Sequence, residues 1–264
     1  MSFANQIIDR CRSTNDLAKS LAEKGDPHGT WVSARTQDAG RGRLARKWAS
    51  LEGNLFLSYV ARIEPRDLWS WIPLTTSVAI VGYLAERFPH GEFRIKWPND
   101  ILATQQGVAA KLGGILCEGT SSSRPYVVVG VGLNCLQSPV SEEMGQPVTD
   151  LTSCAKAGII TADDIRTGLL ENLDLAFGRL MTEGKSWIAS AYDQRSFYEE
   201  GAELTWGTPP ATGRVVGLGE SAELLVKSST GEVRRLFSDE VRVRTRAVSG
   251  ASSQRRSGDD EFPL

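Results

Sequence analysis

Two runs of this chain, "NLFLSYVAR" (residues 54–62) and "YVVVGVGLN" (residues 126–134), are apolar at almost every position. A strand that is apolar on both faces must be covered on both faces, so both runs read as buried strands and the first as a central one. The remaining elements arrange themselves around that requirement. "TWVSARTQ" (30–37) alternates, with Val32 and Ala34 on one face and Ser33 and Arg35 on the other, as a half-buried strand does. "GVAAKLGGILCEG" (107–119) precedes the second apolar run across the turn-rich "GTSSSRP", a spacing that predicts a hairpin. "FRIKWPND" (93–100) reads as a strand that Pro98 ends or pushes to a boundary.

Helices are predicted between these strands. In residues 13–25 Ser13 or Thr14 supplies a cap, Leu17, Ala18, Leu21 and Ala22 a helical stripe, and Gly25 the stop. Pro73 fits the first turn of a helix running to Phe88. "TADDIRTGLLENLDLAFGRLM" (161–181) opens with a capping box from Thr161 to Asp164, and "SWIASAYDQ" (186–194) follows. From Gly201 the sequence becomes short alternating runs punctuated by Gly and Pro, the pattern of a small β-barrel. The Ser-, Gly- and Arg-rich segment after Arg246 has the composition of a disordered tail. The fold class expected is therefore α+β, a mixed and mostly antiparallel sheet with flanking helices, followed by a small barrel.

Charge points to function. The 264 residues carry a net charge of −2 and a pI near 5.8, an unpromising balance for a dedicated nucleic-acid binder. Yet "GRGRLARKW" (40–48) packs Arg41, Arg43, Arg46 and Lys47 into one glycine-opened loop. Backbone N–H groups at Gly40 and Gly42 and the forked arginine donors suit a phosphate or carboxylate; the plain alternative is a solvated turn. "KWPND" (96–100) places Lys96, Trp97, Asn99 and Asp100 at one strand end, where they suit a nucleotide or simply make a turn. Lys111 sits in an apolar strand beside Gly113 and Gly114, so its ammonium must reach the edge or meet an anion. "VVVGVGLN" lacks the third glycine of a dinucleotide fingerprint.

Other chemistries have little support. The two histidines, His28 and His90, lie in turn-like settings, and the four cysteines form no C-x-x-C pair. The N-terminus lacks the apolar core of a signal peptide, and no run reads as long enough to span a membrane. A reduced, cytoplasmic protein is expected.

Taken together and in this order, "STN" (13–15), "QDAGRGRLARKW" (37–48), "KWPND" (96–100), "KLGGIL" (111–116) and "GLN" (132–134) resemble the biotin protein ligases over roughly residues 10–246. The resemblance implies a class II synthetase-like catalytic domain in residues 1–200, an SH3-like barrel in 201–247 and a tail in 248–264. It implies that ATP and biotin, with Mg²⁺, give biotinyl-5′-AMP. The biotinyl group then passes to one lysine of the biotin carboxyl carrier domain of an acyl-CoA carboxylase. By that resemblance Ser13, Thr14, Asn15, Gln37, Gly40, Arg41, Gly42, Arg43, Lys111 and Gly114 hold biotin. Arg46, Trp48, Lys96, Asn99, Asp100 and Asn134 serve ATP, Lys111 and Arg43 are catalytic, and the metal ligands are unassigned. Side-by-side sheet dimers are familiar in that family, so the resemblance leaves monomer or homodimer open.

Two departures stand out. Leu44-Ala45 occupies a place where the family loop often has Arg-Gly. Only twelve residues precede Ser13, which leaves no room for the DNA-reading domain of some members, so no operator binding is expected. Rival readings are a lipoate-type ligase, whose family typically lacks this Gly-Arg-Gly-Arg loop, and a nucleic-acid module using "VRRLF" and "VRVRTR". Glu200, Glu203, Glu220, Glu223, Glu232, Asp239 and Glu240 offset the charge that the second would need.

Overall fold

In the computed structural model the described residues are 4–120, 123–207, 209–237 and 244–245. The tail expected in 248–264 lies outside them. The elements run β1 (Gln6–Cys11), α1 (Thr14–Lys24), β2 (Trp31–Gln37), β3 (Leu55–Ala61), α2 (Ile72–Arg87), β4 (Phe93–Lys96), β5 (Asp100–Gln105), β6 (Val108–Thr120) and β7 (Tyr126–Leu133). After these come α3 (Ser141–Met144), α4 (Leu151–Cys154), α5 (Ala162–Glu183) and α6 (Ser186–Asp193). The last strands are β8 (Glu203–Trp206), β9 (Ala211–Leu218), β10 (Leu224–Lys227), β11 (Val233–Leu236) and β12 (Arg244–Thr245).

The first seven strands form one sheet in the order β1-β2-β3-β7-β6-β5-β4. Only β1 and β2 pair in parallel; the other neighbours are antiparallel. β3 and β7, the two apolar runs, occupy the middle, and all of β3 is buried. Their alternation divides the core. Leu55, Leu57, Tyr59, Val127, Val129 and Val131 face a large cluster with residues of α2, α5 and α6, while Val60, Tyr126 and Val128 face Ala18 and Ala22 of α1. The face under α1 also carries the cavity described below. β12, β8, β9, β10 and β11 form a second, antiparallel sheet, compatible with an SH3-like barrel, and its Leu204, Val215, Leu224 and Val226 join the large cluster.

Helix boundaries follow local chemistry. Gly25 closes α1 in the left-handed region at φ 98°, and Thr161 N donates to Asp164 Oδ2 at 2.7 Å at the start of α5. Ser13 occupies the N-cap of α1 without making a capping bond; Thr14 N donates instead to Gln37 Oε1 at 2.9 Å. The membrane expectation needs correcting. A 3₁₀ turn at Arg66–Trp71 continues into α2, giving one helical run, Arg66–Arg87, of 22 residues, which contains an 18-residue window of mean hydropathy 1.4. It is long and apolar enough to cross a membrane, and 72% of its apolar window is buried within this protein. Thr75, Thr76 and Ser77 disguise that length in sequence; here each hydroxyl donates to the carbonyl four residues earlier.

Candidate active site

The cavity, of about 590 Å³, has its floor on β6 and β7. On β7 the site face bears Gly130 and Gly132, and each is required to be small. A Cβ on Gly130 would overlap Asn15 Oδ1, and one on Gly132 would stand 2.6 Å from Trp48 Cε2. The Gly-x-Gly of this strand is a cleared floor under two side chains, with no phosphate turn about it. On β6 a β-bulge breaks the period of two: Ile101 pairs with Gly113 but Leu102 with Lys111, leaving Leu112 as the extra residue. Leu112 and Gly113 therefore both turn to the core, and Lys111 and Gly114, three apart, share the cavity face.

The start of α1 forms one wall. Ser58 Oγ lies 2.6 Å from Asn15 Oδ1 and 2.7 Å from Thr14 Oγ1, and Asn15 Nδ2 donates to Glu118 Oε2 at 2.7 Å. Lys19 Nζ donates to Glu118 Oε1 at 2.8 Å. Burial alone would raise the Glu118 carboxyl, but the bonds from Lys19 and Asn15 outweigh it and hold the group below its ordinary value.

The loop 40–48 crosses the cavity as a small hairpin. Gly42 N donates to Arg46 O at 2.7 Å and Trp48 N to Gly40 O at 2.9 Å. Its tip bends at Leu44, a non-glycine residue at φ 55° and ψ 41°. The two family-marked arginines tie its sides to opposite walls. Arg41 reaches Asp16 at 2.6 and 3.1 Å, with Glu118 3.6 Å away, and Arg43 Nη1 donates to Asn99 Oδ1 at 3.1 Å. The Arg41 guanidinium holds the Asp16 carboxyl below its ordinary range. A carboxylate lowered in the folded state contributes above its unfolded pKa, and that contribution is lost as pH falls through the lowered value, so this tie is made at neutral pH. Asp16→Asn should release one side of the hairpin and raise trypsin cleavage after Arg43 or Arg46 severalfold. Unchanged cleavage would show that the tie does not restrain the loop.

The third wall is the turn between β4 and β5, where "KWPND" lies. Lys111 Nζ pairs with Asp100 Oδ1 at 2.6 Å and stands 5.6 Å from the centre of the Trp48 ring. Lys96 is pushed below its ordinary value first by burial and further by Lys111 and Arg46, against the opposing pull of Asp100. Among the described residues the cavity wall carries Arg41, Arg43, Arg46, Lys47, Lys96 and Lys111 against the carboxylate of Asp100. Such a wall is built for an anion.

Of the residues singled out in sequence, Ser13, Thr14, Asn15, Gln37, Arg41, Gly42, Arg43, Arg46, Trp48, Lys96, Asn99, Asp100, Lys111 and Gly114 line this one cavity. Gly40 and Asn134 do not. Gly40 is packed where a Cβ would stand 2.9 Å from Trp48 O, and Asn134 Nδ2 is spent on Thr149 O at 3.0 Å. Reading by motif missed Gly130, Gly132, Phe56 and the segment Met144–Gln146, all of which line the cavity. The last is brought in by backbone pairing beside Lys111: Lys111 N donates to Pro147 O and Thr149 N to Lys111 O, each at 2.9 Å. No local signal in that segment announces this.

Comparison with known proteins agrees with this geometry. The profile of the Biotin/lipoate A/B protein ligase family matches residues 7–134. A biotin–[acetyl-CoA-carboxylase] ligase of Mycobacterium tuberculosis is 36% identical over 176 residues, covering 64% of this chain and 62% of that protein's length. The bifunctional ligase/repressor BirA of Bacillus spizizenii is 30% identical over 244 residues, 88% of this chain and 72% of that protein. Among solved structures, the biotin protein ligase from Aquifex aeolicus in complex with biotin and ATP superposes with a TM-score of 0.75 at 26% identity, covering 91% of this chain and 98% of the other. With its cationic cavity, its Gly-Arg hairpin and a relative matched over most of both lengths, the chain belongs to the biotin/lipoate A/B protein ligase family.

Proposed function

We propose that the protein is an ATP-dependent biotin–protein ligase. It joins biotin to ATP as biotinyl-5′-AMP and passes the biotinyl group to a lysine of a biotin carboxyl carrier domain. The observation that carries this reading is the convergence of the Gly-Arg hairpin, the β4–β5 turn and Lys111 on one cavity. The names of the relatives favour biotin over lipoate, and they supply the carboxylase as the class of acceptor.

In the first step the biotin carboxylate attacks the α-phosphorus of ATP, the bond to the bridging oxygen breaks, and pyrophosphate leaves. Two anions must meet, so the chain's contribution is positive charge fixed in advance where negative charge gathers. Lys111, on the bulged strand at the floor, is placed to hold carboxylate and α-phosphate together. Arg43, Arg46 and Lys96 are placed to take the remaining phosphates. We assign biotin to the end walled by Ser13, Thr14, Asn15, Gln37 and Gly114, and ATP to the end walled by Trp48, Asn99 and Asp100. In the second step the acceptor amine attacks the carbonyl of the mixed anhydride and AMP leaves. The hairpin across the cavity keeps water from that anhydride until the acceptor arrives.

Mg²⁺ is bound in such enzymes through one or two carboxylates plus substrate phosphates, and Asp100 with Asn99 offers a donor set of that small kind. The metal would supply charge neutralisation at the phosphates. We assign residues 1–200 as the catalytic domain and 201–247 as the barrel domain. A cytoplasmic setting is supported by four free thiols, Cys11, Cys117, Cys135 and Cys154.

ATP–pyrophosphate exchange with biotin as the variable component is the direct test. Label should enter ATP only when biotin is present. Exchange driven by lipoate instead would move the protein to the other branch of its family, and no exchange with either would sink the ligase reading.

A further inference from the structure

Trp97 is the aromatic residue of the β4–β5 turn, 2% exposed, and it lines the cavity together with its neighbours Lys96, Asn99 and Asp100. Its indole N–H leaves the first sheet altogether and donates to Ala222 O at 3.0 Å, in the turn between β9 and β10 of the second sheet. That turn has an unusual support. Glu223 is 2% exposed, yet it is a carboxylate; Oε2 accepts from Ser221 N at 2.8 Å and Oε1 from Arg235 Nε at 2.7 Å. Gly219 N donates to Glu223 O at 2.9 Å, and a Cβ on Gly219 would overlap the Glu223 carboxylate. Ala222 itself sits at φ 60°, a left-handed position that a non-glycine residue keeps only where its surroundings fix it. With Arg235 and Ser221 engaged, the Glu223 carboxylate is committed to shaping its own turn.

We infer that Glu223 and the turn Gly219–Glu223 are positioning elements for the nucleotide end of the cavity, acting through the Ala222–Trp97 bond. The second sheet thereby serves the first reaction step. An indole anchored at its nitrogen cannot swing about its side-chain torsions, so the backbone between Lys96 and Asp100 is held from behind. From the front, Asn99 Nδ2 donates to Ile115 O at 2.7 Å and its Oδ1 accepts from Arg43 Nη1 at 3.1 Å. Lys96 and Asp100 are thus presented from a clamped turn.

The same turn provides an internal control. Trp71 Nε1 donates to Glu220 O at 3.1 Å, two residues from Ala222, but Trp71 has no place on the cavity wall. Trp97→Phe and Trp71→Phe each delete one indole bond to one turn. Only the first should alter nucleotide handling.

The inference rests on the ligase reading for its substrate, so the experiment measures both exchange kinetics and calorimetric binding of ATP. Trp97→Phe is expected to raise the KM and the Kd for ATP about tenfold while the KM for biotin stays within about twofold. Glu223→Gln should shift the same constants in the same direction, and Trp71→Phe should leave them unchanged. Equal effects of the two Phe variants, or equal effects on ATP and biotin, would overturn the proposal as a general loss of stability. Should Glu223→Gln fail to fold, Arg235→Met, which removes the half-exposed partner of Glu223 away from the cavity wall, decides in its place: it should raise the same ATP constants, and unchanged constants would overturn the proposal. A wild-type protein that binds ATP without biotin-dependent exchange would defeat the ligase reading and leave the ATP constants to judge this one; a wild type that binds no ATP would overturn both.

Discussion

Lys111→Ala should lower biotin-dependent pyrophosphate exchange by about 10³-fold, the scale seen when a preorganised charge or donor is removed from a transition state. Two losses combine in that number. The ammonium would no longer bridge the attacking carboxylate and the α-phosphate. Asp100, paired with Lys111 at 2.6 Å, would also be left as a carboxylate facing two incoming anions. Asp100→Asn in the Lys111→Ala background separates them, because it relieves the second loss while keeping one uncharged oxygen donor for the metal. Recovery of about tenfold or more would assign part of the defect to the orphaned carboxylate; no recovery would assign it to the missing cation. Lys111→Arg should not restore the rate. A guanidinium replaces a compact point charge with a planar fork, which does not set one charge between carboxylate and α-phosphate. A loss below tenfold in Lys111→Ala would remove Lys111 from the catalytic role.

Lys111 also shows what the sequence could and could not convey. An ammonium in an apolar strand next to two glycines has to be answered by an anion, and that inference needs no coordinates. The anion's identity was less accessible. Asp100 is eleven residues away in a motif that suits a nucleotide, whereas β5–β6 pairing sets it across from Gly114 and within reach of Lys111. The bulge at Leu112 that turns Lys111 towards the cavity depends on register and leaves no compositional mark. Central strands were legible for the opposite reason: β3 and β7 are apolar on both faces, a local property. β1 was not, because "QIIDRC" is a short, half-exposed edge strand whose partner β2 lies across α1. β5 was hidden by Pro98, which ends one strand just before the next begins. The four-residue α3 and α4 carry too few turns for any periodicity. Asn134 looked like a site residue because it ends a motif, yet its amide is used to hold Thr149, and so indirectly the strand-like segment beside Lys111.

Gly132→Ala should damage both stability and activity, and the reason is geometric. The added carbon would stand 2.6 Å from Trp48 Cε2, 2.8 Å from Cζ2 and 2.9 Å from Nε1, contacts with a rigid ring that cannot bend away. Gly132 does not need a left-handed conformation, so the backbone accepts alanine and the penalty is steric. The Trp48 backbone is held by Gly40 O, which leaves rotation of the indole as the way out. That rotation removes the ring from beneath Lys111 and pushes on the hairpin whose two arginines straddle the cavity. Overpacking of this kind costs about 1–3 kcal/mol of stability. Displacing catalytic groups by about an ångström costs about 10²-fold in rate, so exchange should fall by roughly that factor. Gly178→Ala supplies the contrast. A Cβ there meets nothing within 4 Å, and the residue lies inside α5, where replacing glycine by alanine stabilises a helix by about 0.5–1 kcal/mol. The same methyl should therefore lower the melting temperature at one glycine and raise it at the other. Exchange should follow only the first. If Gly132→Ala keeps wild-type exchange, Trp48 is not the fixed ceiling over the β7 floor, and the cavity must reorganise freely around its ligands.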